Sequence, residues 1–144
     1  MKATLVKDIM KKVVLSIDAS MTAIDAAKMM DDASIGAIIV IQENIAIGII
    51  TERDIVRRVV AKGKPSKTNV KEIMSPNLVV INPKSTIMEL AQLMKDRQIH
   101  RVPVIKDGRL IGMVTSFDLV KYCSIGGEPE ISKITDQILL KSHP

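Results

Sequence analysis

Hydrophobic and polar positions fall into a pattern that occurs twice along the chain. Val13 to Ile17 is a short β-branched run that predicts a strand, and Leu78 to Ile81 predicts its counterpart. Each run is followed by a hydroxyl with a carboxylate three residues on, Thr22–Asp25 and Thr86–Glu89, which is a capping-box helix start. Apolar residues then recur at helical spacing: Ala23, Ala26, Ala27 and Met30 in the first copy, Leu90, Leu93 and Met94 in the second. Two strands come next in each copy. Ala37–Ile41 and Ile45–Ile50 are separated around Glu43-Asn44, while Arg101–Ile105 and Arg109–Val114 flank Asp107-Gly108, a two-residue hairpin signal. Thr51-Glu52-Arg53-Asp54 and Thr115-Ser116-Phe117-Asp118 open a second helix through another capping box. The unit is strand, helix, strand, strand, helix, and residues 62–69 read as a linker.

The two copies are one duplicated segment. A shift of 64 positions needs no gap between residues 6 and 56, and 17 of those 51 positions are identical to their partners. The pairs include Ile9-Met10 with Ile73-Met74, Thr22 with Thr86, Gly48 with Gly112, Thr51 with Thr115 and Asp54 with Asp118. The expected divisions are a first unit with linker at 1–64, a second unit at 65–124, and a tail at 125–144. A unit of this size buries too little surface for comfortable stability alone. Two copies packed sheet to sheet about a pseudo-twofold axis would solve that and bring equivalent loops together across a cleft. The expected fold class is α/β (α+β).

Composition narrows the function classes. Hydrophobic residues are 47% and charged residues 26% of 144, a globular balance. One Phe, one Tyr and no Trp leave an aliphatic core with nine Met, and almost no platform for stacking nucleic-acid bases. A single cysteine, Cys123, and two histidines exclude a disulfide framework and supply metal sites poorly, so no metal is expected. No apolar run approaches the length that spans a bilayer, and no signal peptide is visible, so a cytoplasmic setting is expected. The net charge of +5 is dispersed, with no Lys/Arg run longer than two. It suits a small anion at least as well as DNA. No nucleophile–base constellation, phosphate-binding loop or metal cluster is present, so neither catalytic residues nor an enzymatic activity are expected.

The segments Asp8-Ile9-Met10 and Glu72-Ile73-Met74, Ile99-His100-Arg101-Val102-Pro103-Val104, and the paired Gly48-Ile49-Ile50-Thr51-Glu52-Arg53-Asp54 and Gly112-Met113-Val114-Thr115-Ser116-Phe117-Asp118 resemble those of a cystathionine-β-synthase (CBS) domain pair. The resemblance covers residues 4–123. It implies a non-catalytic sensor that binds an adenosine-containing ligand (AMP, ADP, ATP or S-adenosylmethionine) in the cleft between repeats. It also implies a homodimer and signalling to an unknown regulated protein. A nucleic-acid-binding module using the positive surface is the alternative reading.

By that resemblance Asp54 and Asp118 would accept the ribose hydroxyls, and Thr51 and Thr115 would approach ribose or phosphate oxygens. The same Thr-x-x-Asp pattern is also a plain capping box, as it is at Thr22. His100 and Arg101 would lie near phosphates; edge-strand protection is the other reading of that pair. Their counterparts are Gly36 and Ala37, so the two sites are unequal. Arg53 would serve the Asp118 site, leaving His100 and Arg101 to the Asp54 site; a solvated helix-surface role for Arg53 also stays open. Ile38, Val102, Val14 and Leu78 are candidate walls for adenine. The apolar helix positions Ala26, Met29, Met30, Leu90, Leu93 and Met94 are expected to exceed the pair's own core and support the dimer. Apolar residues at 131, 134, 138 and 139 predict an amphipathic helix over 131–140.

Overall fold

The structure, a computed structural model, describes residues 3–126 and 128–141. The chain forms two compact units, Val14–Leu78 and Met1–Val13 with Val79–Pro144. These units cut across the sequence repeat. The short helix α1 (Val6–Ile9) opens the first repeat but belongs to the unit built from the second. Its counterpart α4 (Val70–Ile73) opens the second repeat and belongs to the unit built from the first.

In the Val14–Leu78 unit, β1 (Ser16–Asp18) pairs parallel with β2 (Ala37–Gln42), which pairs antiparallel with β3 (Ile45–Thr51). Helix α2 (Ala23–Ala33) starts at Thr22, whose hydroxyl accepts from the Asp25 amide while Asp25 accepts from Thr22. The β2–β3 turn puts both Glu43 and Asn44 at positive φ, as the twist of a two-residue hairpin requires. After β3 comes the one-turn helix α3 (Glu52–Asp54), continued by a π-helical stretch, Ile55–Val60. The core joins Ile17, Ala26, Met30, Ile38, Val40 and Ile50 to Val70 and Ile73 of α4.

The other unit repeats this plan with α5 (Ile87–Arg97), the antiparallel pair β4 (Arg101–Lys106) and β5 (Arg109–Thr115), and α6 (Ser116–Ser124). Its expected first strand, Leu78–Ile81, is reduced to a single parallel bridge between Ile81 and Val104. Two prolines explain the loss. In the first repeat the Ile39 amide donates to Leu15 and the Ala19 amide donates to Ile41, bracketing β1. The corresponding residues are Pro103 and Pro83, which have no N–H to donate. The first repeat's strand also begins later than expected: Val13 is 92% exposed and pairing starts at Ser16.

The tail forms α7 (Pro129–Lys141), which packs on α5 and α6 with Ile131, Ile134 and Ile138 buried, while Leu139 stays exposed. The apolar faces of α2 and α5 are not surplus to the chain's own core. Ala26, Met30, Leu90 and Met94 are buried by the chain itself. Exposed apolar residues on the second helical segment of each repeat include Val56, Val60, Phe117 and Val120.

Candidate functional site

Each candidate carboxylate stands on the first turn of a helix that leaves a strand directly. The Thr115 amide and hydroxyl both bond to Asp118 Oδ2, at 2.8 and 3.1 Å, and Thr115 Oγ1 accepts from the Asp118 amide at 3.3 Å. The Thr51–Asp54 pair repeats this with 2.9, 3.2 and 3.3 Å. The capping reading of Thr-x-x-Asp is therefore realised in both copies, and it consumes one carboxylate oxygen only. Asp118 is 6% exposed and Asp54 9%.

The second oxygen separates the two. Asp54 Oδ1 lies 3.5 Å from Arg58 Nε. Arg58 in turn donates from one terminal nitrogen to the carbonyls of Ile73 and Met74, both at 3.1 Å, and so satisfies the open C-terminal end of α4. Residue 122, at the matching place beyond Asp118, is tyrosine, and Asp118 Oδ1 has no hydrogen-bond or ion-pair partner among the described residues. No buried side-chain polar atom among them lacks a partner, so Oδ1 opens to solvent.

His100 and Arg101 gather at the Asp118 helix. The Ser116 amide donates to the His100 carbonyl at 2.8 Å, His100 Nδ1 lies 3.0 Å from Ser116 Oγ, and Arg101 stands opposite Thr115 in the β4–β5 register. The sequence reading assigns this pair to the Asp54 motif of the other unit; within its own unit it neighbours Ser116 and Thr115. At the matching place the Glu52 amide bonds to the Gly36 carbonyl, and Ala37 faces Thr51. Burial, and then the neighbouring Arg101 charge, hold the His100 pKa below its ordinary 6.5.

Arg53 is exposed on its helical turn, with no hydrogen bond or ion pair among the described residues. Ile38 and Val102 have no exposed surface and belong to the two cores. Val14 and Leu78 are half-buried in the Val14–Leu78 unit. Sequence reading missed Ser116 and Arg58; the spacing of four between Asp54 and Arg58 on one helix was the available signal. Among the described residues no group of three or more His, Cys, Asp and Glu is placed to hold a metal ion.

A duplicated α+β unit with Thr-x-x-Asp at the strand-to-helix step of each copy defines a tandem-repeat α+β protein. The CBS domain family model matches residues 6–61 and 70–125, and the chain belongs to that family. It is 37% identical over 114 residues to the CBS domain-containing protein YhcV of Bacillus subtilis, covering 79% of this chain and 81% of the relative. A crystal structure of a conserved protein from Pyrococcus horikoshii matches with a TM-score of 0.77 at 29% identity, over 89% of this chain and 97% of that one. The CBS domain pair of protein MJ0100, solved in complex with 5′-methylthioadenosine and S-adenosyl-L-methionine, also gives 0.77 at 29% identity, over 88% of this chain and all of that one.

Proposed function

We propose that this protein is a non-catalytic regulatory module that binds an adenosine-containing ligand at the Thr115–Asp118 motif. The ligand class is AMP, ADP, ATP or S-adenosylmethionine, and occupancy is relayed to a separate regulated protein or through a homodimer. The observation that carries the reading is the state of Asp118. One oxygen is fixed by the capping box, and the other has no partner among the described residues, on a helix whose first residue, Ser116, meets His100 and whose cap, Thr115, pairs with Arg101. An oriented carboxylate oxygen of this kind suits vicinal ribose hydroxyls, and Arg101, paired with Thr115, suits phosphate. The adenosine ligands in the complex of the MJ0100 pair support the same ligand class.

Asp118→Asn tests it. Asparagine keeps an oxygen for the cap but presents a neutral amide where ribose needs an acceptor. Losing one charge-assisted hydrogen bond predicts about 10- to 150-fold weaker AMP binding by calorimetry. A 2′,3′-dideoxy analogue should bind wild type weakly and lose little more in the variant. Unchanged AMP affinity in Asp118→Asn would leave the carboxylate as a helix cap alone.

A further inference from the structure

The two Thr-x-x-Asp motifs share their threonine and aspartate and differ in chemistry. At Asp54, one carboxylate oxygen is held by Thr51 and the other faces the Arg58 guanidinium at 3.5 Å. That guanidinium is itself fixed by the Ile73 and Met74 carbonyls. A ribose hydroxyl donating to Asp54 Oδ1 would compete for that oxygen with Arg58, whose guanidinium is also tied to the end of α4. At Asp118 the matching position is Tyr122, which is uncharged, and the adjacent Lys121 lies over the Phe117 ring, 5.0 Å from its centroid. The surroundings differ too. Glu52 stands where the other copy has Ser116, and Gly36-Ala37 where it has His100-Arg101. The Asp54 copy thus adds a carboxylate and lacks the His100-Arg101 pair, while it carries Arg53 where the other copy has Phe117.

We propose that Arg58 occupies the Asp54 motif as an internal substitute for ligand, so that each chain binds one adenosine-containing molecule, at Asp118. This rests on the ligand class proposed above. Arg58 acts here as a specificity-determining residue, and a merely structural tie would affect melting without affecting stoichiometry.

Calorimetry on the full chain with AMP and with adenosine tests it. Wild type should bind one molecule per chain, and Asp118→Asn should remove that site. Arg58→Gln should create a second adenosine site that 2′,3′-dideoxyadenosine does not fill. The reciprocal change, Tyr122→Arg, brings an arginine to the position four residues beyond Asp118 and should weaken the first site about tenfold or more, the size of one charge-assisted bond. If Arg58→Gln does not fold, the Tyr122→Arg titration decides. Two equal sites in wild type, an unchanged stoichiometry in folded Arg58→Gln, or an unaffected Tyr122→Arg overturns the role of Arg58 and leaves the ligand class standing. Absence of AMP and adenosine binding by wild type overturns both.

Discussion

A single threonine–aspartate pair does two jobs because a carboxylate has two oxygens. Capping occupies Oδ2 in both copies, so the capping and binding readings of the motif are compatible at Asp118. Thr115→Ala should then cost about 1 kcal/mol of stability by loss of the cap, read from urea denaturation. His100 gives a pH signature. Its folded pKa lies below its unfolded value of 6.5, so the unfolded chain takes up the proton first. The stability associated with neutral His100 is complete above that unfolded pKa and is lost as the pH falls through it toward the folded value. Wild type should therefore lose more melting temperature between about pH 7 and pH 5 than His100→Gln does. An equal decline in both proteins would remove His100 as the cause. Asp18 and Asp25, lowered by hydrogen bonds to Ser20 and Thr22, act at lower pH and do not mask this window.

At the scale of elements, two glycines and two prolines do most of the sculpting. A methyl built on Gly48 would meet the Met74 side chain and come within 2.9 Å of the Ser75 carbonyl oxygen. On Gly112 it would meet the Met10 side chain and come within 3.0 Å of the Lys11 carbonyl oxygen. The residue after each short helix thus lies directly over the glycine of a strand, which accounts for the recurrence of Ile-Met and of glycine in both copies. Gly48→Ala and Gly112→Ala should each destabilise by about 1–3 kcal/mol through overpacking, and a denaturation midpoint unchanged in either would refute that packing account. The prolines trim the second sheet. Pro103→Ile restores the residue of the first copy and supplies an amide able to pair with the Val79 carbonyl. Slow hydrogen exchange at residue 103 in that variant is the expected result.

Across the whole molecule, duplication and compactness follow different boundaries. A fragment of residues 1–64 holds a complete first repeat but lacks Val70 and Ile73, both fully buried in its unit's core. A fragment of residues 14–78 contains them. Burying two such side chains contributes about 3–6 kcal/mol, so the second fragment should resist urea better than the first. Similarly, Ile131→Ala should cost about 2–5 kcal/mol, because Ile131 is 2% exposed in the core that α7 completes. Leu140→Ala, at a position 72% exposed, should stay within about 0.5 kcal/mol of wild type. A homodimer that covers Val56, Val60, Phe117 and Val120 would scatter light at twice 15.8 kDa.

The sequence by itself determined what depends on local spacing: the 64-residue duplication, the capped helices, the tight hairpins, and the Thr-x-x-Asp pairs that identify the family. Periodicity, turn chemistry and capping act over a few residues, so they can be read along a chain. Tertiary structure decided which groups are left over. Arg58 meets Asp54 within one helix, but its hold on the carbonyls of α4 spans 15 and 16 residues. His100 reaches Ser116 across 16 residues, and α1 lies in a core with β5, far along the chain. The weakness of β1's counterpart also needed the register, because only the pairing shows that Pro83 and Pro103 sit where donors are required. A hydrogen bond depends on where its partner comes to rest, and that is set by packing distant segments together rather than by the order of neighbours.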